Sequence, residues 1–254
     1  MKTVNLCLQT ISKRLVYVFI CCSVGGLLLG CVSDQIRKDK SLIKVQTVLV
    51  LPPQSAYVAL RSQLPQLQPL VADRFKRAGF KVMMPDAAHF AKAHEDALLA
   101  VGSVYQPKHQ QFVPLDTLKY AASIAKALQQ HYTFDAMVDS SLVMRSVTIH
   151  GGKASWDQVT ASVPLKYPDK PVSTYPTPLY GLSLRLVAYA GDGQRIDSFF
   201  AGIVMPFWLD NQETVMHYQM HPSYQGDSVD IDPKAFKKAT ALAVRQWLTR
   251  VRPR

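Results

Sequence analysis

His217 and His221 stand four residues apart. On a helix that spacing puts two imidazoles on one face, which is metal-binding geometry. The run His217-Tyr218-Gln219-Met220-His221 ends at Pro222, shows no helical pattern and has no acidic third ligand at a fixed spacing. Surface histidines are the plainer reading. Asp135 and Asp139 flank a strand start, and paired carboxylates could share acid–base work. Four residues apart on one strand, however, the two carboxylates sit on one face about 13 Å from each other, which suits capping or loop hydrogen bonding better. His94, four residues after Phe90, falls on an apolar helical stripe and reads as a partly buried, hydrogen-bonded histidine. Gly191-Asp192-Gly193 lacks the third glycine and following helix of a nucleotide loop and reads as a hairpin turn. Gly-x-Ser-x-Gly, His-Glu-x-x-His and the phosphate-binding loop are all missing. No catalytic residue, metal or cofactor is expected.

Cysteine chemistry is confined to one end. Cys7, Cys21, Cys22 and Cys31 are the only cysteines of the 254-residue chain. Residues 32–254 can therefore form neither a disulfide framework nor a thiolate metal site. Before residue 31 the only charges are Lys2, Lys13 and Arg14, followed by an apolar run from Leu15 to Leu29. That is the layout of a secretory signal, and the run falls short of the ~20 residues of a comfortable membrane span. It closes on Leu28-Leu29-Gly30-Cys31, which resembles the lipobox of bacterial lipoproteins. The resemblance implies cleavage before Cys31 and attachment of lipid to Cys31, palmitate included; several acyl chains anchor stably where one does not. Val32 and Ser33 follow. In the enterobacterial sorting rule an aspartate there retains a lipoprotein in the inner membrane, so its absence points to the outer membrane, with the domain facing the periplasm.

The expected organisation is a signal peptide over 1–30, a polar lipidated tether over 31–44 and one α/β domain over 45–254. Apolar residues make up 48% of the chain and charged residues 19%, which suits a globular core. Val45 to Leu51, stopped by Pro52-Pro53, reads as a central strand buried on both faces. Leu67, Leu70, Val71 and Phe75 make a helix ending near Gly79, and Phe80 to Met84 a second strand. Asp86 caps a helix to about Leu99 with Phe90, Ala93, Ala97, Leu98 and Val101 inward. Residues 102–114 read as a loop. A third helix spans about 116–131 with Leu118, Ala121, Ala122, Ala125 and Leu128 inward.

Phe134 to Ile149 is strand, the Gly151-Gly152 pair a turn, and Ala154 to Leu165 a returning strand with Asp157 on one face. Five prolines and three tyrosines make 164–181 an extended loop. Leu182 to Tyr189 alternates as a half-buried strand and pairs through the Gly191-Asp192-Gly193 turn with Arg195–Val204. Residues 205–230 look irregular. Asp232 and Pro233 open a last helix with Phe236, Ala239, Ala243, Trp247 and Val251 buried. Helical connections early and hairpins late predict a single α/β sandwich with a mixed sheet.

Val48-Leu49-Val50-Leu51-Pro52-Pro53 after a lipobox, Ala78-Gly79-Phe80-Lys81-Val82, and Phe134-Asp135-Ala136-Met137-Val138 together resemble bacterial lipoproteins of unknown function. Their domain is similar to the amino-terminal domain of the Tol translocation protein TolB. Lipoproteins that activate penicillin-binding proteins, and those of Pel and curli secretion, have related folds. The resemblance covers about 45–165 and implies a non-enzymatic domain that docks on an envelope protein or assembles into a ring. The expected function is thus a cell-envelope binding or assembly module, in surface-structure or polymer export or in cell-wall enzyme regulation. A periplasmic hydrolase around Asp135, Asp139 and His150, and a homo-oligomeric ring subunit, are the alternatives.

The formal net charge is +11. Without residues 1–30 it stays strongly positive, which favours anionic surfaces, while a periplasmic anchor excludes nucleic acid as a partner. Lys234, Lys238, Arg245 and Arg252 lie to one side of the last helix. They read as a docking face for an anionic partner or, more plainly, as a solvated face. The aromatics Phe207, Trp208, Tyr218 and Tyr224, with Tyr167, Tyr175 and Tyr180, are either an interaction surface or cover packed onto the sheet.

Overall fold

The computed structural model describes residues 43–55, 58–101, 105–106, 111–112, 117–170, 172, 175, 178–212, 217–220 and 231–253. β1 (Ile43–Val45) and β2 (Thr47–Val50) are separated by Gln46 alone. β-Branched residues dominate β2, and Val48, Leu49 and Val50 are fully buried. After Pro52-Pro53 come β3 (Gln54–Ser55), a 3-10 turn and α1 (Leu64–Arg77). α1 buries Leu67, Val71, Ala72 and Phe75 and ends where Gly79 takes φ +93°.

β4 (Lys81–Met83) leads to α2 (Ala87–Val101), whose first turn is capped by Asp86 accepting from Ala88 N–H at 2.8 Å. β5 (Tyr105–Gln106) pairs with β6 (Gln111–Phe112), so the segment read as loop contains a short hairpin. α3 (Thr117–Leu128) buries Ala121, Ile124, Ala125 and Leu128. Leu118 and Ala122, expected inward, are exposed, because the helix turns its 121/124/125/128 stripe to the sheet.

β7 (Ala136–His150), β8 (Lys153–Trp156) and β9 (Val159–Ser162) form a meander. The strand expected over 154–165 is therefore broken. Asp157 and Gln158 turn with φ of 38° and 65°, and neither the glycine nor the asparagine that usually marks such a turn is present. β10 (Leu179–Ala190) and β11 (Arg195–Val204) make the expected hairpin. β12 (Phe207–Asp210) and β13 (His217–Met220) make a second one inside the stretch read as irregular. α4 (Pro233–Trp247) starts as expected, with Asp232 accepting from Lys234 N–H at 2.8 Å. Val251 is buried in β14 (Val251–Pro253), which pairs in parallel with β1, and so does not extend the helix.

The main sheet runs β11-β10-β7-β2-β4. β2 pairs in parallel with β4 and β7, while β7–β10 and β10–β11 are antiparallel, so the sheet is mixed. The fold is an α/β domain with the sheet between helices. One face packs on α1 and α4 around Phe75, Phe80 and Trp247, whose rings meet edge to face, the indole 4.8 Å from each phenyl centroid. The other packs on α2 and α3. That double cover explains why β10 is buried on both faces, Ser183 and Val187 included, where alternation had suggested a half-exposed strand. No helix of the described residues is long and apolar enough to cross a membrane.

A third core gathers Ala154, Trp156, Val163, Leu179, Met205, Phe207 and Leu209. Its anchor is Trp156, which donates to the Leu182 carbonyl at 3.3 Å. The indole fills a slot that exists because β10 and β11 carry glycines there. A Cβ on Gly181 would meet Trp156 Cε2 at 2.5 Å, and one on Gly202 would meet Nε1 at 2.8 Å. The outer edge of β11 is occupied as well: Phe200 O accepts from Gln246 Nε2 at 2.6 Å, Ser198 N–H donates to its neighbour Asp197 at 2.8 Å and Gly202 N–H to Asp157 O at 3.0 Å. Gly181→Ala should destabilise the domain by about 1–3 kcal/mol through overpacking. Combining it with Trp156→Leu, which shortens the intruding side chain, should recover part of that loss relative to additivity, as read by urea denaturation of both single variants and the double.

Candidate functional site

Register places the charged groups of the sheet centre. Met137, Val187 and Tyr189 face α2 and α3. Side chains alternate along a strand, so Asp139 and Arg185 share that face. Asp139 lies opposite Val187, and Ser141 opposite Arg185, making Asp139 and Arg185 diagonal neighbours. Asp139 Oδ1 and Arg185 Nε are both shielded from solvent without a hydrogen-bond partner. Burial pushes the Asp139 carboxyl up to about 6, against the opposing pull of the Arg185 charge and of a backbone hydrogen bond at Ser140. Burial also raises Tyr120 and Tyr189, and the Asp139 charge raises both further; a hydrogen bond from Gln54 partly offsets this at Tyr120. Tyr120 hydroxyl bonds in turn to His94 Nδ1, the hydrogen-bonded role expected of that histidine.

The polar groups continue along the strands. Two residues beyond Arg185, Ser183 donates to Asp157 Oδ2 at 2.7 Å, and Arg145 Nε reaches the same oxygen at 3.3 Å while lying 4.3 Å over the Phe200 ring. The result is a polar seam between two apolar covers: α2 and α3 on one side, the Trp156 hairpin on the other. It holds a buried carboxyl raised to about 6, two guanidinium groups and a tyrosine–histidine contact.

The other residues singled out go elsewhere. Asp135 accepts from Gln46 N–H at 2.7 Å and Thr47 N–H at 2.9 Å, the loop role expected of it. His150 ends β7, eleven residues beyond Asp139 and, at strand rise, roughly 35 Å away. Asp135 precedes β7, Asp139 lies near its start and His150 ends it, so the structure does not bring the three residues of the hydrolase alternative together. His217 is in strand β13, so it shares no helical face with His221, which lies outside the described residues. Among the described residues no three His, Cys, Asp or Glu side chains group as metal ligands. His89 and His131 stack with centroids 4.0 Å apart, a contact that no sequence spacing announced.

Cys31, Tyr224 and residues 1–42 lie outside the described residues. Of the aromatic cluster, Phe207 is in the third core. The Tyr167 segment is held down by Asn211, which accepts from Tyr167 N–H at 3.0 Å and donates to Tyr167 O at 2.8 Å, while Lys166 pairs with Asp210 at 2.8 Å. Tyr180 stays 40% exposed. Arg252 is in β14 and does not extend the basic face of α4.

Asp139 has a sign-definite consequence. Its folded pKa lies above its unfolded value, so its favourable contribution is complete below about pH 4 and is lost as pH rises through about 6. Asp139→Asn mimics the protonated form at every pH. It should match wild type in stability near pH 4 and exceed it by about 2–3 kcal/mol at pH 8, measured by urea denaturation across pH. Equal offsets at both pH values would contradict this account of the seam.

No protein-family model and no curated protein matches the chain. Among solved structures it is similar to the lipoprotein GNA1162 from Neisseria meningitidis, at 12% identity over 80% of this chain and 97% of that one, with a TM-score of 0.33. It is also similar to the hypothetical protein CT253 from Chlamydia trachomatis, at 10% identity over 63% of this chain and 73% of that one, with a TM-score of 0.31. Scores this low carry no property from either protein to this chain.

Proposed function

We propose that this chain is a lipid-anchored protein of the bacterial cell envelope whose α/β domain works by binding or assembly and not by catalysis. The observation that carries the reading is Leu28-Leu29-Gly30-Cys31 at the end of a charged-then-apolar leader, ahead of a body without cysteine. Lipid on Cys31 and a residue other than aspartate at position 32 support an outer-membrane location in this reading, with a TolB-amino-terminal-like domain facing the periplasm. An envelope protein is its partner, in export of a surface structure or polymer or in control of a cell-wall enzyme. Asp135 just before β7, Asp139 near its start and His150 at its end are not brought together, which supports binding over the hydrolase alternative. The occupied outer edge of β11 argues against a ring built by strand addition there.

The test is on Cys31. Expressed in a bacterial envelope, the wild type should yield an N-terminal peptide beginning at an acylated Cys31 and should fractionate with membranes. Cys31→Ser should lose both the acyl mass and cleavage at that site. A wild-type peptide without acyl chains would overturn the proposal. Crosslinking in intact envelopes, compared with Cys31→Ser, then identifies the partner.

A further inference from the structure

The two helix layers differ in charge. α4 carries Lys234, Lys237, Lys238 and Arg245, all exposed, and no acidic residue. α1, packed beside it, carries Arg74, Lys76 and Arg77 against Asp73 alone. On the opposite face α2 and α3 mix Lys92, Lys119 and Lys126 with Glu95 and Asp96. The basic excess is therefore concentrated on one side of the sheet.

Between α1 and α4 lies a notch of about 110 Å³ lined by Leu70, Asp73, Arg74, Arg77, Lys237 and Thr240. Asp73 is engaged by Arg77 at 2.9 Å. The Arg74 guanidinium and the Lys237 ammonium, in contrast, have no ion-pair partner among the described residues. Two cations without an ion-pair partner among the described residues, lining a small concavity on a face rich in basic side chains, suit the phosphate of a lipid headgroup.

Chain connectivity brings a membrane within reach. β14, three residues beyond α4, pairs with β1, and Ile43 N–H donates to Arg250 O at 3.3 Å. The chain that continues back to Cys31 thus leaves the domain beside the C-terminal end of α4. About 12 residues separate Cys31 from Ile43, a span of at most roughly 40 Å.

We propose that the α1/α4 face docks on anionic phospholipid, with a headgroup phosphate in the notch between Arg74 and Lys237. This rests on the lipid-anchor reading for the membrane's proximity. The test uses the full protein purified from membranes and reconstituted into vesicles of phosphatidylcholine, with or without phosphatidylglycerol, with lysine acetylation read residue by residue. Lys237 and Lys238 should react about threefold to fivefold more slowly with phosphatidylglycerol present and recover in high salt, while Lys92 and Lys126 stay unchanged.

In Arg74→Gln/Lys237→Gln the protection of Lys238 should largely disappear. Equal reactivity in both vesicles, protection of Lys238 undiminished in the double variant, or protection of Lys237 by inorganic phosphate as complete as by vesicles would each overturn the proposal. The N-terminal peptide of the same sample reads the anchor separately. Acylated Cys31 with unprotected Lys237 sinks docking alone, whereas unacylated Cys31 with salt-sensitive protection sinks the anchor and upholds docking.

Discussion

The length of β7 sets the terms for everything packed on it. Fifteen residues at strand rise run roughly 50 Å. A helix of 12 to 15 residues, the size of α2 and α3, is only about 18–22 Å long. Helices can cover the first half of such a strand and no more. The second half obtains its own cover by folding back on itself through β8 and β9, with Trp156 as the part that reaches home. The glycines at 181 and 202 give up side-chain packing of their own so that a larger apolar group can come down on the sheet.

Where two covers meet over one sheet, a gap in apolar packing follows, and this chain places its charges there. Removing a carboxylate and a guanidinium from water is costly unless geometry and hydrogen bonds compensate. At Asp157 the compensation is good, since Ser183 and Arg145 both reach its Oδ2. At Asp139 it is poor, with an oxygen left unpartnered and a carboxyl held far above its ordinary range. One end of the seam therefore fixes a turn in an unfavourable backbone conformation, and the other stores sensitivity to protonation.

Local chemistry made much of the architecture readable. The Val45–Leu51 run suits a doubly covered strand, and Asp232-Pro233 suits a helix start, and both elements form. Gly191-Asp192-Gly193 marked its hairpin because the turn residues match the backbone it needs. Asp157-Gln158 hid a turn because no glycine or asparagine stands there, and its conformation is held by contacts from other strands. The seam was hidden for a related reason. Asp139 and Arg185 become neighbours only through the β7–β10 register, which neither segment encodes alone. Ser183 and Arg185 on one side of the β10 alternation, and Asp139 in an apolar run, were its traces, with nothing local to join them. The slot for Trp156 likewise needs three separate strands to exist.

The described fold starts and finishes on the same ladder, β1 against β14, whose partners stand about 200 residues apart along the chain. Such a pairing cannot nucleate folding, because the entropy of closing so long a loop comes due before any contact repays it. α4 contributes Phe236 and Trp247 to the largest core, so without it the Phe75–Phe80 pair would lose the indole that packs on both rings. A ribosome or translocation pore releasing this chain from its N-terminus would hold the largest core open until α4 and β14 had emerged.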